Sequence, residues 1–482
     1  MALIIVGLGP GRADDLTRRA WRALESASVV FLRTQEHPCV PDLPVRHYTS
    51  FDAVYNATPH FEQIYTTIAA RVLDAARDAA GDVVYAVPGD PLVAEESVTR
   101  LIAAARAAAL PYTIINGVSF IEPILALLEI DALDGLQLHD ALTVAALHHP
   151  PINPSYPALL AQVYNRQVAS DVKLTLMNQY PDDFPVVLIH AAGTPDATLE
   201  RVPLHEIDHS AQIRYLTALY VPALGELASF ERFQQVIAHL RAPEGCPWDR
   251  EQTHRSLRRY LVEETYEVLE ALDADDSDAL VGELGDLLLQ IVLHTQIAID
   301  DGEFRMTDVL EAISAKMIRR HPHVFGDVRV GGTADVLTNW DAIKKQERGA
   351  NDTRESILDN VGRGLPALMQ AYGYQKEAAK LGFDWAHIDD VIAKVREELD
   401  EVLAAATPDE REAELGDLLF AVVNWARHAK VDPETALRAT NAKFYRRFRY
   451  VEDGAAAAGR ALTDMTLAEM DALWNTAKAK GL

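Results

Sequence analysis

Only two cysteines, Cys39 and Cys246, stand among 482 residues, and they lie far apart in sequence. That scarcity argues against a disulfide framework and a thiolate zinc site, and it fits a reducing cytoplasm. Positive charge is also short: 45 Lys and Arg against 72 Asp and Glu leave a formal net charge of −27. Nonspecific binding to nucleic acid or to an anionic membrane needs a positive surface and is not expected. A polyphosphate ligand stays open, because a bound cation inverts the field around it. Long apolar runs are missing as well. Leu287 to Ile299 is apolar but contains Gln290, His294 and Gln296, and it is too short to span a bilayer. The opening segment, Met1 to Gly11, lacks a basic flank and reads as a first strand, not a signal peptide.

What is present is a globular chain, 49% apolar, too long for one core of ordinary size. Residues 1–222 alternate strand-like and helix-like segments. Leu3 to Val6, Val83 to Val87, Tyr112 to Ile115, Leu142 to Leu147, Val186 to His190 and Leu216 to Val221 read as strands. Helices are expected from about Leu16 and over Ala94 to Ala109. This pattern predicts an α/β domain with a largely parallel sheet. Near residue 225 strand signals fade and helical periodicity takes over.

The helical half repeats itself. Glu263-Glu264-x-x-Glu267 followed by Glu283-x-x-Asp286 returns as Glu397-Glu398-x-x-Glu401 followed by Glu414-x-x-Asp417. Acids three apart share a helix face, so two such helices packed antiparallel would aim four carboxylates at one spot. Left unbalanced they would repel, and a hard divalent cation such as Mg²⁺ is the natural remedy. Thr407-Pro408-Asp409 supplies a turn and a helix start between the second pair. One acid pair alone is common on solvated faces. Here two pairs occur twice, each copy followed by basic residues in step: Lys316 and Arg320 in the first, Lys443 and Arg447 in the second. Lys443 and Arg447 share a helix face and suit a phosphate chain, or else a salt bridge with the acids. Trp474 suits a base to stack on, or ordinary core packing. Together these groups describe metal-assisted nucleotide hydrolysis.

Residues 230–482 resemble the MazG nucleoside triphosphate pyrophosphohydrolases in their tandem form. The resemblance is carried by Gly245-Cys246-Pro247-Trp248-Asp249, Gln252-Thr253-His254, the acid pairs, Arg319-Arg320-His321-Pro322-His323-Val324-Phe325-Gly326, Gly382-Phe383-Asp384-Trp385 and Lys443-Phe444-Tyr445-Arg446-Arg447-Phe448. It implies an all-α half with one repeat over 230–345, a linker and helix over 346–390, and a second repeat over 391–482. It implies a homodimer formed through this half, and Mg²⁺-dependent cleavage of an NTP to the monophosphate and diphosphate. Glu398, Glu401, Glu414 and Asp417 would hold the metal, with Glu397 beside them in the catalytic set. Lys443 and Arg447 would hold phosphates, and Trp474 would meet the base. In such tandem proteins the second repeat is generally the competent one. The first keeps Glu264, Glu267, Glu283 and Asp286 as metal ligands and Lys316 and Arg320 as substrate contacts, but His321-Pro322 should end its helix early.

In the α/β half, Gly7-x-Gly9-x-Gly11 follows a strand, and Pro88-Gly89-Asp90-Pro91 and Gly117-Val118-Ser119 follow two others. Ligands of open α/β sheets bind at such strand ends, although Gly and Pro also make plain turns there. Residues 1–222 resemble the two-lobed tetrapyrrole methylases, which implies S-adenosylmethionine as cofactor, held around Gly9, Pro88, Gly89, Asp90, Pro91 and Ser119. Leu92-Val93-Ala94-Glu95-Glu96 departs from the biosynthetic members, which carry a glycine here. Two alternatives stay open: methyl transfer as the main activity with a regulatory helical half, or a nucleotide-sensing module with little turnover.

Overall fold

The structure, a computed structural model, describes residues 2–57, 61–348 and 356–482. It divides into two compact units, Met1–Arg250 and Glu251–Leu482.

The first unit holds two five-stranded sheets. Strands β1 (Leu3–Gly7), β2 (Val29–Leu32), β3 (Thr49–Ser50), β4 (Val83–Val87) and β5 (Tyr112–Ile115) form a parallel sheet of order β3-β2-β4-β1-β5. The central strands read as unbroken apolar runs because the sheet is covered on both faces. Ile5, Phe51, Tyr85 and Leu101 pack on one side, and Val6, Leu8, Leu24 and Val84 on the other. The helix expected near Leu16 spans Arg18–Ser26 and is capped by Thr17, whose hydroxyl accepts from the Ala20 N–H at 3.1 Å.

The second sheet, β6 (Gln137–Asp140), β7 (Ala158–Ala161), β8 (Pro185–His190), β9 (Thr198–Pro203) and β10 (Thr217–Val221), has order β6-β7-β10-β8-β9. Only β6 and β7 run parallel; the other pairs are antiparallel. The expectation of a largely parallel sheet therefore holds for the first sheet and not for the second. Leu142 to Leu147, read as a strand, is instead the helix Ala141–Ala145. Asp140 starts it by accepting from the Leu142 and Thr143 N–H groups, and a short apolar run cannot by itself tell the two states apart.

From Phe230 on, the described elements are helical. Helix Phe230–Arg241 belongs with the first unit, where Asn153 Nδ2 donates to the Glu231 carboxylate at 3.0 Å. The second unit contains α1 (Arg258–Asp273), α2 (Ser277–Asp300), α3 (Met306–Arg320) and α4 (Thr333–Arg348), then α5 (Ala367–Ala379). It closes with α6 (Ile388–Ala404), α7 (Pro408–His428), α8 (Pro433–Ala457) and α9 (Leu467–Ala479). Of the expected 346–390 linker, residues 349–355 lie outside the described residues. Helices α1 and α2 pack together across a short loop, as do α6 and α7, and these two hairpins carry the acids.

Candidate active site

In the second repeat, Glu398 and Glu401 share a face of α6. Helix α7 begins at a capping box: the Thr407 hydroxyl accepts from the Glu410 N–H, and the Glu410 carboxylate accepts from the Thr407 and Ala406 N–H groups. That fixed start sets the register in which Glu414 faces α6. Glu398, Glu401 and Glu414 each offer a carboxylate oxygen, all within 4.8 Å of one another. Glu398 is buried, 6% exposed, while Glu414 is half-buried and Glu401 exposed. Asp417 is exposed and stands outside this set of three. Burial, then the neighbouring Glu398 and Glu414, pushes the Glu401 carboxyl above its ordinary range. Glu397 faces the other way from Glu398 in part: it is exposed and lines an open groove of about 550 Å³ with Arg396 and Glu401. Lys394 Nζ bridges the two, 2.9 Å from Glu397 and 2.7 Å from Glu398.

The first repeat builds the same arrangement on α1 and α2, where Asp276 caps α2 through the Asp278 and Ala279 N–H groups. Glu264, Glu267 and Glu283 bring carboxylate oxygens within 4.8 Å of one another. Asp286 is exposed and outside the three, although its charge bears on Glu264 and Glu283. Both of those carboxyls are pushed up, by burial first and by neighbouring acids after it. Clustered oxygen donors on fixed helices, held against their own repulsion, fit a hard divalent cation such as Mg²⁺. They do not fit a soft one, since neither cysteine is among them.

The basic and aromatic residues sit together in each repeat. Arg447 lies 5.8 Å from the Trp474 ring, donates from Nε to the Leu482 carbonyl oxygen at 2.6 Å, and Trp474 packs on Phe444 at 5.1 Å. Arg320 lies 5.6 Å from Trp340 in the same relation. Lys443 and Lys316 are exposed and make no hydrogen bond or ion pair among the described residues. The first repeat differs at its arginines and in the helix that bears them. Glu347 takes both Arg319, at 2.6 Å, and Arg320, at 2.7 Å. The two guanidiniums hold its carboxyl down to about 2. Helix α3 stops at Arg320, ahead of Pro322, whereas α8 runs ten residues past Arg447 to Ala457. Neither Lys394 nor Glu347 was singled out from sequence. The i, i+4 spacing of Lys394 and Glu398 was a usable signal; Glu347 offered none.

At the carboxyl ends of β1, β4 and β5 three glycines meet backbone to backbone. A Cβ on Gly7 would lie 2.5 Å from the Gly89 oxygen and 2.6 Å from the Gly117 nitrogen; one on Gly117 would lie 2.2 Å from the Gly89 oxygen. Gly9 and Gly89 exchange two backbone hydrogen bonds, and both take positive φ. Asp90 serves the loop: its carboxylate accepts from the Leu92 N–H, the Asn116 amide and the Gly117 N–H. The Ser119 hydroxyl donates to Glu122 at 2.6 Å. Pro88 and Pro91 flank this turn. Of the six residues expected around a cofactor, Asp90 and Ser119 thus spend their side chains on shaping the cradle.

The family description Tetrapyrrole (Corrin/Porphyrin) Methylases matches residues 2–208, and MazG nucleotide pyrophosphohydrolase domain matches residues 252–325. The chain is similar to "Uncharacterized protein YabN" of Bacillus subtilis (strain 168), 44% identical over 486 residues, covering 99% of this chain and 98% of the relative. It is similar over half its length to a nucleoside triphosphate pyrophosphohydrolase of Escherichia coli (strain K12), 46% identical over 254 residues, covering 52% of this chain and 96% of that one. Among solved structures, a uroporphyrin-III-C-methyltransferase from Thermus thermophilus is 22% identical with a TM-score of 0.37, covering 47% of this chain and 94% of that one.

Proposed function

The chain belongs to the family that joins a tetrapyrrole methylase domain to a MazG nucleotide pyrophosphohydrolase domain, and from that premise we propose that its helical half hydrolyses nucleoside triphosphates to monophosphate and diphosphate with Mg²⁺. The observation that carries this reading is the convergence of Glu398, Glu401 and Glu414 within 4.8 Å. These three carboxylates hold the cation, with Asp417 one turn beyond Glu414 available on the same helix. A bound divalent ion supplies charge neutralisation at the phosphates and acidifies a water. Arg447 and the free ammonium of Lys443 bind the phosphate chain, and Trp474, already packed on Phe444, offers a ring to the base. Glu397, exposed beside the groove and ion-paired with Lys394, takes a proton from the attacking water in this reading.

The first repeat has the acids, but a carboxylate, Glu347, holds both Arg319 and Arg320, whereas Arg447 gives only its Nε to the Leu482 oxygen and has no ion pair among the described residues. The second repeat therefore carries the turnover. Glu398→Ala with Glu401→Ala should abolish pyrophosphate release while the far-ultraviolet spectrum stays unchanged. Release that survives this double change would move the activity to the first repeat, where Glu264→Ala would then remove it. Running a panel of ordinary, deoxy and damaged triphosphates with and without Mg²⁺ identifies the preferred base.

The α/β half binds S-adenosylmethionine in this reading. Its support is the triple glycine contact at Gly7, Gly89 and Gly117, which brings the ends of β1, β4 and β5 backbone to backbone at the edge where ligands of open α/β sheets bind. Calorimetry with S-adenosylmethionine should show binding that Asp90→Ala abolishes. The protein acts as a homodimer through the helical half, where large side chains such as Leu403, Leu419 and Phe444 stand exposed. A monomer by sedimentation would remove that part. Among the described residues no helix is long and apolar enough to cross a membrane. A reducing cytoplasm suits the two unbonded cysteines.

A further inference from the structure

Lys394 stands four residues before Glu398 on α6, so one helical turn brings its ammonium over that carboxylate. Nζ lies 2.7 Å from Glu398 and 2.9 Å from Glu397. Glu398 is the buried member of the second acidic set, so the lysine is fixed against the least hydrated of the three. In the first repeat, the residue four before Glu264 is Tyr260, whose hydroxyl accepts a hydrogen bond from Arg259. The charges that bear on Glu264 and Glu283 there are other carboxylates. Among the described residues, Glu398 thus carries an ammonium in contact, whereas its counterpart Glu264 has no ion pair and, of these acids, Arg259 bears only on Glu263.

We propose that Lys394 is a built-in counter-cation that weakens the second acidic set toward a free divalent ion, so that this set loads its ion together with an anionic triphosphate while the first set takes the free ion. The inference rests on the metal reading given under Proposed function. The ammonium occupies a lone pair of Glu398 and repels a second cation at the same carboxylate. A unit charge in contact with a ligand changes cation affinity by on the order of tenfold even at high effective dielectric. A triphosphate brings negative charge that offsets the ammonium, so the handicap falls away when ion and nucleotide arrive together. Lys394 acts through Glu398 and is a positioning residue.

The test is Mn²⁺ binding to the full chain, followed by electron paramagnetic resonance, with Glu264→Gln and Glu283→Gln present so that only the second set remains. Without nucleotide, Lys394→Met should bind Mn²⁺ about tenfold more tightly than its parent, and Lys394→Arg, which keeps the charge, should match the parent. With a non-hydrolysable α,β-methylene triphosphate, the parent and Lys394→Met should agree within about twofold. Unchanged circular dichroism and melting temperature show that each variant is folded. Mn²⁺ affinity that is unchanged or weaker in Lys394→Met, while Glu398→Ala still abolishes binding, overturns the role of Lys394 alone. Binding that Glu398→Ala leaves intact overturns the metal reading as well.

Discussion

Arg438 of α8 reaches Asp273 at the end of α1, with Nη2 3.2 Å from the carboxylate, and its guanidinium lies 5.3 Å from the Tyr266 ring. The contact joins the second repeat to the first through the same helix that carries Glu264 and Glu267. A partly exposed ion pair contributes about 0.5–1 kcal/mol, and the ring contact adds a similar amount. Arg438→Ala should therefore lower the unfolding free energy in urea by about 1–2 kcal/mol and split no transition. Two resolved transitions would mean that the repeats fold separately and that this pair is their main tie.

The raised acids make the stability of the second unit depend on pH. Glu264, Glu283 and Glu401 are all raised, by burial first and by neighbouring carboxylates after it. In the unfolded chain a glutamate titrates near about 4.3. Below that value both states are protonated and the clusters exact no penalty. As pH climbs through the raised folded values, the folded state must ionise against its own field, and the penalty is complete above them. Mg²⁺ removes it. At about 100 times its dissociation constant a ligand adds about 2.7 kcal/mol. The melting temperature should therefore rise with Mg²⁺ near neutral pH and much less near about pH 5. An equal gain at both would show that the acids do not hold the ion. Glu347 and Glu469, held down by their arginines, titrate in the opposite sense, so the comparison with and without Mg²⁺ at each pH is the informative one.

Much of this architecture is legible in the chain because it rests on short-range rules. The three-residue spacing of Glu398 and Glu401, the Thr407 start and the repeated order of acids, bases and tryptophan specify the helical hairpins. Gly7, Gly89 and Gly117 mark strand ends where backbones touch. What is not legible depends on which partner a side chain finds. The strand-end position of Asp90 can be read from its sequence context, but the three N–H donors that its carboxylate takes cannot. Glu347 reaches back to Arg319 and Arg320 across a helix and a loop. The orientation of β8, β9 and β10 is set by tertiary pairing, not by their apolar content.

The glycine contact gives a steric prediction. Gly117→Ala places a methyl 2.2 Å from the Gly89 oxygen, and Gly7→Ala places one 2.5 Å from it. Neither obstacle is a flexible side chain, so the strands must part. Overpacking of this kind usually takes about 1–3 kcal/mol, more where backbone is the obstacle. Both variants should melt earlier and lose S-adenosylmethionine binding, while pyrophosphate release from the helical half persists. Gly225→Ala, where a Cβ meets nothing within 4 Å, is the control and should be close to silent.

Glu95 supplies the last prediction. Its carboxylate is buried in the first unit, 3.2 Å from Arg33, and accepts from the Ser97 hydroxyl at 2.6 Å, which in turn meets the Tyr85 hydroxyl at 2.7 Å. Arg33 also donates to Tyr55 at 3.0 Å. Burial raises the Glu95 carboxyl, and Arg33 and Ser97 pull it back only in part. Burial likewise opposes the Arg33 charge, but Glu95 and Tyr55 outweigh it and the guanidinium stays firmly protonated. Glu95→Ala strips that charge of its partner while Tyr55 still holds it in place. Breaking a buried pair on one side costs about 3–5 kcal/mol, and because Arg33 keeps some solvent contact the low end applies, about 3 kcal/mol. Glu95→Gln, which keeps the hydrogen bond to Ser97, should lose less. Replacing both partners, Arg33→Met with Glu95→Leu, should recover most of the loss, because no unpaired charge then remains. Urea unfolding of the three variants distinguishes this from a simple volume effect, in which the double variant would be the least stable of all.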